Sequence, residues 1–204
     1  MAESVSTPSA DTELRIRRIQ WFTIIWMGIE VAVAALAAIR SNSVVLAAYG
    51  ADSVIELLSA VTVLARFSSS GRLTEEFASK ITGWLLISLA IYIATDSLYR
   101  LIADASRPKP SYIGIGLLFA AGLIMPWLSR RKRQLAMAAR SSALQADAAQ
   151  SSLCAYLSWI ALAGLLLNAV ANLTWADPLA ALGLLPIVCT EAKESFQGHP
   201  CHCG

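Results

Sequence analysis

The sequence predicts an all-α membrane protein, a bundle of six transmembrane helices with both termini in the cytoplasm. Three observations predict it. The chain of 204 residues is 56% hydrophobic and only 15% charged, whereas soluble domains are about 25% charged and about 45–50% apolar. A soluble protein of this length could not hide so much apolar surface, but lipid accepts it. The apolar residues gather into six runs, and the basic residues divide unequally between alternate connecting segments.

Residues 1–20 are polar and include Glu3, Asp11 and Glu13. They lack the short basic region of a signal peptide, and the apolar run that follows is too long for one, so a retained cytoplasmic tail is expected. A span needs about 20 mostly apolar residues. Candidates cover 21–39, 44–65, 81–102, 112–128 and 148–173, the last beginning about one turn after the Ser141–Ser142 pair. The sixth, 178–190, is short. The expected organisation is a tail over 1–20, a membrane domain over 21–192, and a second cytoplasmic tail over 193–204 ending His199-Pro-Cys-His-Cys-Gly204.

Six spans with the N-terminus inside place 12 of the 16 Lys and Arg residues in inner segments and 4 outside, at Arg40, Arg100, Arg107 and Lys109. That bias follows the positive-inside rule, and Trp21, Trp84, Tyr112, Trp127 and Trp175 fall near predicted interfaces, where amphipathic rings belong. The run Arg130-Arg-Lys-Arg133 reads as a topology anchor touching anionic lipid, not as a nucleic-acid patch. The cysteines form no disulfide framework, because Cys154 and Cys189 lie in apolar stretches and Cys201 and Cys203 are two apart. They fit a reducing compartment or metal ligation. There is no Walker pattern or Gly-rich phosphate loop, which excludes ATP-driven transport by this chain.

Carboxylates are expensive in a bilayer, at least about 2.5–3.5 kcal/mol each at its centre, and mark functional positions. Glu30, Asp52, Glu56, Asp96, Asp147 and Asp177 all fall within or at the edge of predicted spans. Asp52 and Glu56 are four apart and share one helix face, extended by Tyr49 and Ser59. Two like charges so placed need a cation or a proton between them, and a divalent cation supplies the charge. The alternative is one protonated acid hydrogen-bonded across helices. The fifth span carries a matching stripe of Asp147, Gln150, Cys154 and Ser158. Cys154 alone reads as a small core residue. Facing the acidic pair, Gln150 and Cys154 complete four donors, which suits a tetrahedral ion such as zinc, with the thiol favouring softer ions. Glu30 and Asp147 are secondary candidates, as are Cys201, His202 and Cys203 in the tail. Asn168 and Asn172 either line an exit path or bond neighbouring helices.

The segment Asn42-Ser-Val-Val-Leu-Ala-Ala-Tyr-Gly-Ala-Asp-Ser-Val-Ile-Glu56 resembles the second-helix signature of cation diffusion facilitators, where two acids lie four apart. Ser142-Ala-Leu-Gln-Ala-Asp-Ala-Ala-Gln-Ser-Ser-Leu-Cys154 is similar to their fifth-helix signature, and Trp175-Ala-Asp-Pro-Leu-Ala-Ala-Leu-Gly183 to the start of their sixth helix. The resemblance implies a short branch without the usual cytoplasmic metal-binding domain. It also implies a homodimer in the inner membrane of a bacterium, exporting divalent metal in exchange for protons. Carried over by position, the metal ligands are Asp52, Glu56, Gln150 and Cys154. Glu56 and Cys154 stand where the family usually has Asp, and Gln150 where it usually has His, so the ion itself stays open.

No cofactor is expected; the metal is cargo. An intramembrane enzyme is disfavoured because both histidines, His199 and His202, lie in the tail and leave no Ser/His or Cys/His set in the spans. A metal-binding sensor or accessory protein that does not transport is the second reading.

Overall fold

The computed structural model describes residues 10–67, 75–103 and 108–197. They form six α-helices: α1 (Ala10–Ser41), α2 (Val44–Phe67), α3 (Glu75–Ile102), α4 (Tyr112–Ala139), α5 (Ser142–Ala171) and α6 (Ala176–Gln197). No strand occurs among the described residues. Five of the helices, α1 to α5, are long and apolar enough to cross a membrane. The sixth has 22 residues, about 33 Å at 1.5 Å per residue, but its apolar stretch is shorter.

The turns explain themselves locally. Serines open α2, α4 and α5: the hydroxyls of Ser43, Ser111 and Ser141 accept from the backbone N–H of Leu46, Gly114 and Leu144 at 3.2, 3.2 and 3.3 Å. Such caps satisfy N–H groups that have no partner within the helix. Asn42, Arg140 and Asn172 follow the ends of α1, α4 and α5 with φ of 54°, 47° and 53°, the left-handed conformation that stops a helix.

Hydrogen bonds fix the up-and-down order. Arg100, near the end of α3, donates to the Asn42 carbonyl at 2.8 Å. The Lys109 N–H reaches the Ser41 carbonyl at 2.8 Å, and the Asn168 amide near the end of α5 reaches the Pro108 carbonyl at 3.1 Å. Asp177, opening α6, accepts from the N–H of Val44, opening α2, at 2.9 Å. One end of the bundle therefore holds the ends of α1, α3 and α5 and the starts of α2, α4 and α6. The described chain begins and finishes at the other.

Several boundaries differ from expectation; α3 begins at Glu75 and α6 continues to Gln197, and three further shifts bear on the site. The first helix begins at Ala10, so residues 10–20 are its opening turns and not a tail; Ile16 and Gln20 there are fully buried. The fourth helix continues to Ala139 instead of stopping at 128, and the fifth begins at Ser142. Both extensions carry buried polar residues, Lys132 and Asp147, which broke the apolar runs used to mark the spans.

The surface is apolar. Ile39 and Val170 are each 81% exposed, and the five interface aromatics Trp21, Trp84, Tyr112, Trp127 and Trp175 all point outward. Inside, Leu118, Met125 and Leu128 of α4 pack with Leu157, Ala161 and Leu165 of α5. Two glycines set helix separations: a Cβ on Gly164 would lie 2.4 Å from the Ala180 side chain, and one on Gly50 would lie 3.1 Å from that of Ala34. The second approach brings α2 against α1 beside the polar residues that follow.

Candidate metal centre in the bundle

The inner face of α2 repeats polar groups at helical spacing: Tyr49, Asp52, Ser53 and Glu56, each at most 3% exposed. Helices α1, α4 and α5 supply their partners. Glu30, on α1, is fully buried and well satisfied. The Tyr49 hydroxyl donates to its Oε2 at 2.9 Å and the Ser53 hydroxyl at 3.1 Å, while the Trp26 indole N–H donates to Oε1.

Asp147, on α5, is also fully buried. Its Oδ2 accepts from the Gln20 amide at 2.8 Å and pairs with Lys132 Nζ at 2.9 Å; its Oδ1 accepts from the Ser59 hydroxyl at 3.1 Å. Glu56 accepts from the Ser151 hydroxyl and lies 3.6 Å from the same ammonium, which also donates to Ser151 Oγ at 2.9 Å. Ser151 thus accepts from Lys132 and passes its own proton toward Glu56.

Cys154 is fully buried one turn beyond Gln150 on α5. Its thiol lies 3.7 Å from the Tyr49 hydroxyl. Of the buried side-chain polar atoms without a hydrogen-bond partner among the described residues, which also include Gln20 Oε1 and Ser97 Oγ, three lie on the predicted ligands: Asp52 Oδ1, Glu56 Oε2 and Gln150 Nε2. An unsatisfied buried group costs about 1–3 kcal/mol, more when charged, and these three belong to three of the four predicted ligands. An amide turned end over end presents oxygen instead of nitrogen, so Gln150 has an acceptor to offer. Among the described residues no three His, Cys, Asp or Glu side chains are gathered closely enough to hold an ion as they stand. The Glu56 carboxylate is drawn instead to Lys132 and Ser151.

Lys132 is the buried residue missed in the basic run. Arg130, Arg131 and Arg133 are exposed as expected of an anchor, but Lys132 is completely buried. Its signal is periodicity: Met125, Leu128, Lys132 and Ala136 continue the buried stripe of α4. Asp177 is likewise corrected. It caps α2, accepting from the Ser43 hydroxyl and from Val44 and Val45 N–H at 2.9 and 3.4 Å. Asp96 pairs with Arg100 at 2.9 Å. Asn168 bonds neighbouring structure by tying down the loop before α4, and Asn172 ends α5 through its backbone. Cys189 is exposed on α6, and Cys201, His202 and Cys203 lie outside the described residues.

Residues 21–194 match the family model described as the cation efflux transmembrane domain. The chain belongs to the cation efflux family. A comparison with curated proteins finds no match. The cation efflux match takes in α2 to α5 whole, most of α1 and α6, and every residue of the buried polar cluster from Glu30 to Cys154. The protein is an integral membrane cation transporter, and the six-helix bundle is its transport domain. The family's members are transporters, not enzymes.

Proposed function

We propose that this cation efflux protein carries a divalent metal ion out of the cytoplasm in exchange for protons, binding it within the bundle at Asp52, Glu56, Gln150 and Cys154. The observation that carries the reading is the set of unpartnered polar atoms on three of these residues, buried between α2 and α5 with the Cys154 thiol beside them. Carboxylate, amide and thiol donors around one point suit zinc or cadmium better than magnesium or calcium. Ligands must be deprotonated to bind, so metal uptake releases protons and reprotonation releases metal. Alternating access around a site near the middle of the bundle then couples the two flows.

Closing the site requires Glu56 to turn from Ser151 toward Asp52 and Cys154. The excess of basic residues in the connections at the terminal end of the bundle supports a cytoplasmic position for that end. The inner membrane of a bacterium and a homodimeric assembly complete the reading. The His199–Cys203 segment would capture ions at the cytoplasmic mouth.

The test is counterflow in proteoliposomes with zinc, cadmium, iron, manganese and cobalt in turn, with a pH-sensitive dye inside. Zinc or cadmium entry accompanied by opposite proton movement, lost in Asp52→Ala, is the expected result. Metal flux unchanged by Asp52→Ala overturns the site, and zinc binding without flux from any of the five ions favours a sensor.

A further inference from the structure

The buried lysine has no place in the four-ligand site, yet it touches it. We propose that the Lys132 ammonium is a tethered cation that competes with the transported metal for the Glu56 carboxylate, and so sets both the affinity and the preference for divalent ions. This rests on the Asp52–Glu56 site proposed above.

Three features of the geometry point to it. Lys132 holds its partners unequally, with Asp147 Oδ2 and Ser151 Oγ both at 2.9 Å but Glu56 Oε1 at 3.6 Å. It can release Glu56 and keep two good contacts. Asp147 is a fixed anchor, because Gln20 of α1 and Ser59 of α2 hold it at 2.8 and 3.1 Å and neither of its oxygens lacks a partner. Glu56 is divided: Oε1 is engaged by Ser151 and Lys132 while Oε2 has no partner among the described residues.

The electrostatics follow. Glu30, Asp52, Glu56 and Asp147 crowd together with Lys132 as the cation paired to two of them. With the ammonium in place Glu56 is never left as a bare charge beside Asp52. A monovalent ion entering the site would only replace a charge already there. A divalent ion brings one more positive charge and can draw Glu56 away, leaving Lys132 on Asp147 and Ser151. The resting lysine thereby weakens binding of every ion and excludes the singly charged ones. A unit charge a few ångström from a divalent ion, at an effective dielectric of about 20, changes binding by more than about tenfold.

The experiment is zinc binding by calorimetry to the full chain in nanodiscs. Lys132→Met binds zinc at least about tenfold more tightly than the parent, whereas Lys132→Arg, which keeps the charge, stays near it. Removing the ammonium strands two buried carboxylates and can prevent folding, so the charge-balanced Lys132→Met/Asp147→Asn pair is measured too. It also binds more tightly, while Asp147→Asn alone, which frees the ammonium for Glu56, binds more weakly. Equal or weaker zinc binding in the double variant overturns the proposal and makes Asp147 a ligand or Lys132 a structural strut. Asp52→Ala separates the two layers: if it binds zinc like the parent, the site reading fails first; if it abolishes binding while the double variant is not tightened, only the role of Lys132 fails.

Discussion

Asp52 and Asp177 are two aspartates of one bundle, 3% and 0% exposed, and they could hardly be used more differently. Asp177 spends both oxygens on donors: Oδ2 on the Ser43 hydroxyl, Oδ1 on the first N–H groups of α2. There it also meets the positive end of the α2 dipole. Asp52 lies inside the same helix, where the backbone N–H groups are already bonded to one another, and its Oδ1 has no partner among the described residues. Burial alone therefore does not mark function in this protein. What separates the two acids is satisfaction: the saturated carboxylate holds helices together, and the unsaturated one is the ligand proposed for the cargo.

That contrast predicts opposite phenotypes, and the variants that test it fall in order of size. Asp52→Ala lowers zinc flux by more than about a hundredfold, exceeding the about 10–100-fold cost of losing a supporting group near a metal, while the folded bundle is retained; the flux assay and a thermal melt in detergent check both halves. Asp177→Ala reverses the pattern, destabilising the bundle by about 2 kcal/mol through the lost cap and stranded hydroxyl, with zinc affinity of the folded protein unchanged. Denaturant titration beside calorimetry reads the two effects, and a loss of affinity without a loss of stability would break the distinction. Cys154→Ala is milder: zinc and cadmium weaken by about tenfold relative to manganese, because only the soft donor is removed, as competition binding will show. Asn168→Ala costs about 1 kcal/mol of stability and leaves transport intact, which a melt and a flux measurement together establish. Reduced flux in that variant would restore Asn168 to an exit path.

The acidic pair was legible because it is local. Two acids four apart on an apolar helix need no partner in view to be conspicuous. Six helices were legible from apolar runs and alternating basic loops, and the structure gives six. The short apolar stretch of the sixth is the reason only five meet a length-and-composition test. What sequence could not supply was pairing over distance. Asp177 looks like the first-turn acid of its own helix, yet it caps another 133 residues away. Lys132 was hidden by its neighbours: three exposed arginines made the run look like a topology anchor throughout, and only the spacing Met125, Leu128, Lys132, Ala136 betrays which member turns inward. Gln20 was hidden by a boundary, since a polar segment read as a tail is the opening of α1 and donates to Asp147. In each case the missed residue is one whose polarity is spent on a partner distant in sequence.

The brevity of the sixth helix's apolar stretch reaches beyond the protein. Residues 178–190 span about 20 Å at 1.5 Å per residue, against a hydrocarbon thickness of about 30 Å. The outward residues there include Leu179 but also Gly183, Pro186, Cys189 and Thr190, which offer lipid tails little apolar surface. Hydrophobic mismatch of this kind costs fractions of a kcal/mol per Å and is relieved by thinning the bilayer or recruiting shorter chains. Where α6 faces lipid, this mismatch predicts a thinner annulus, so acyl-chain length becomes a variable that any reconstitution has to match.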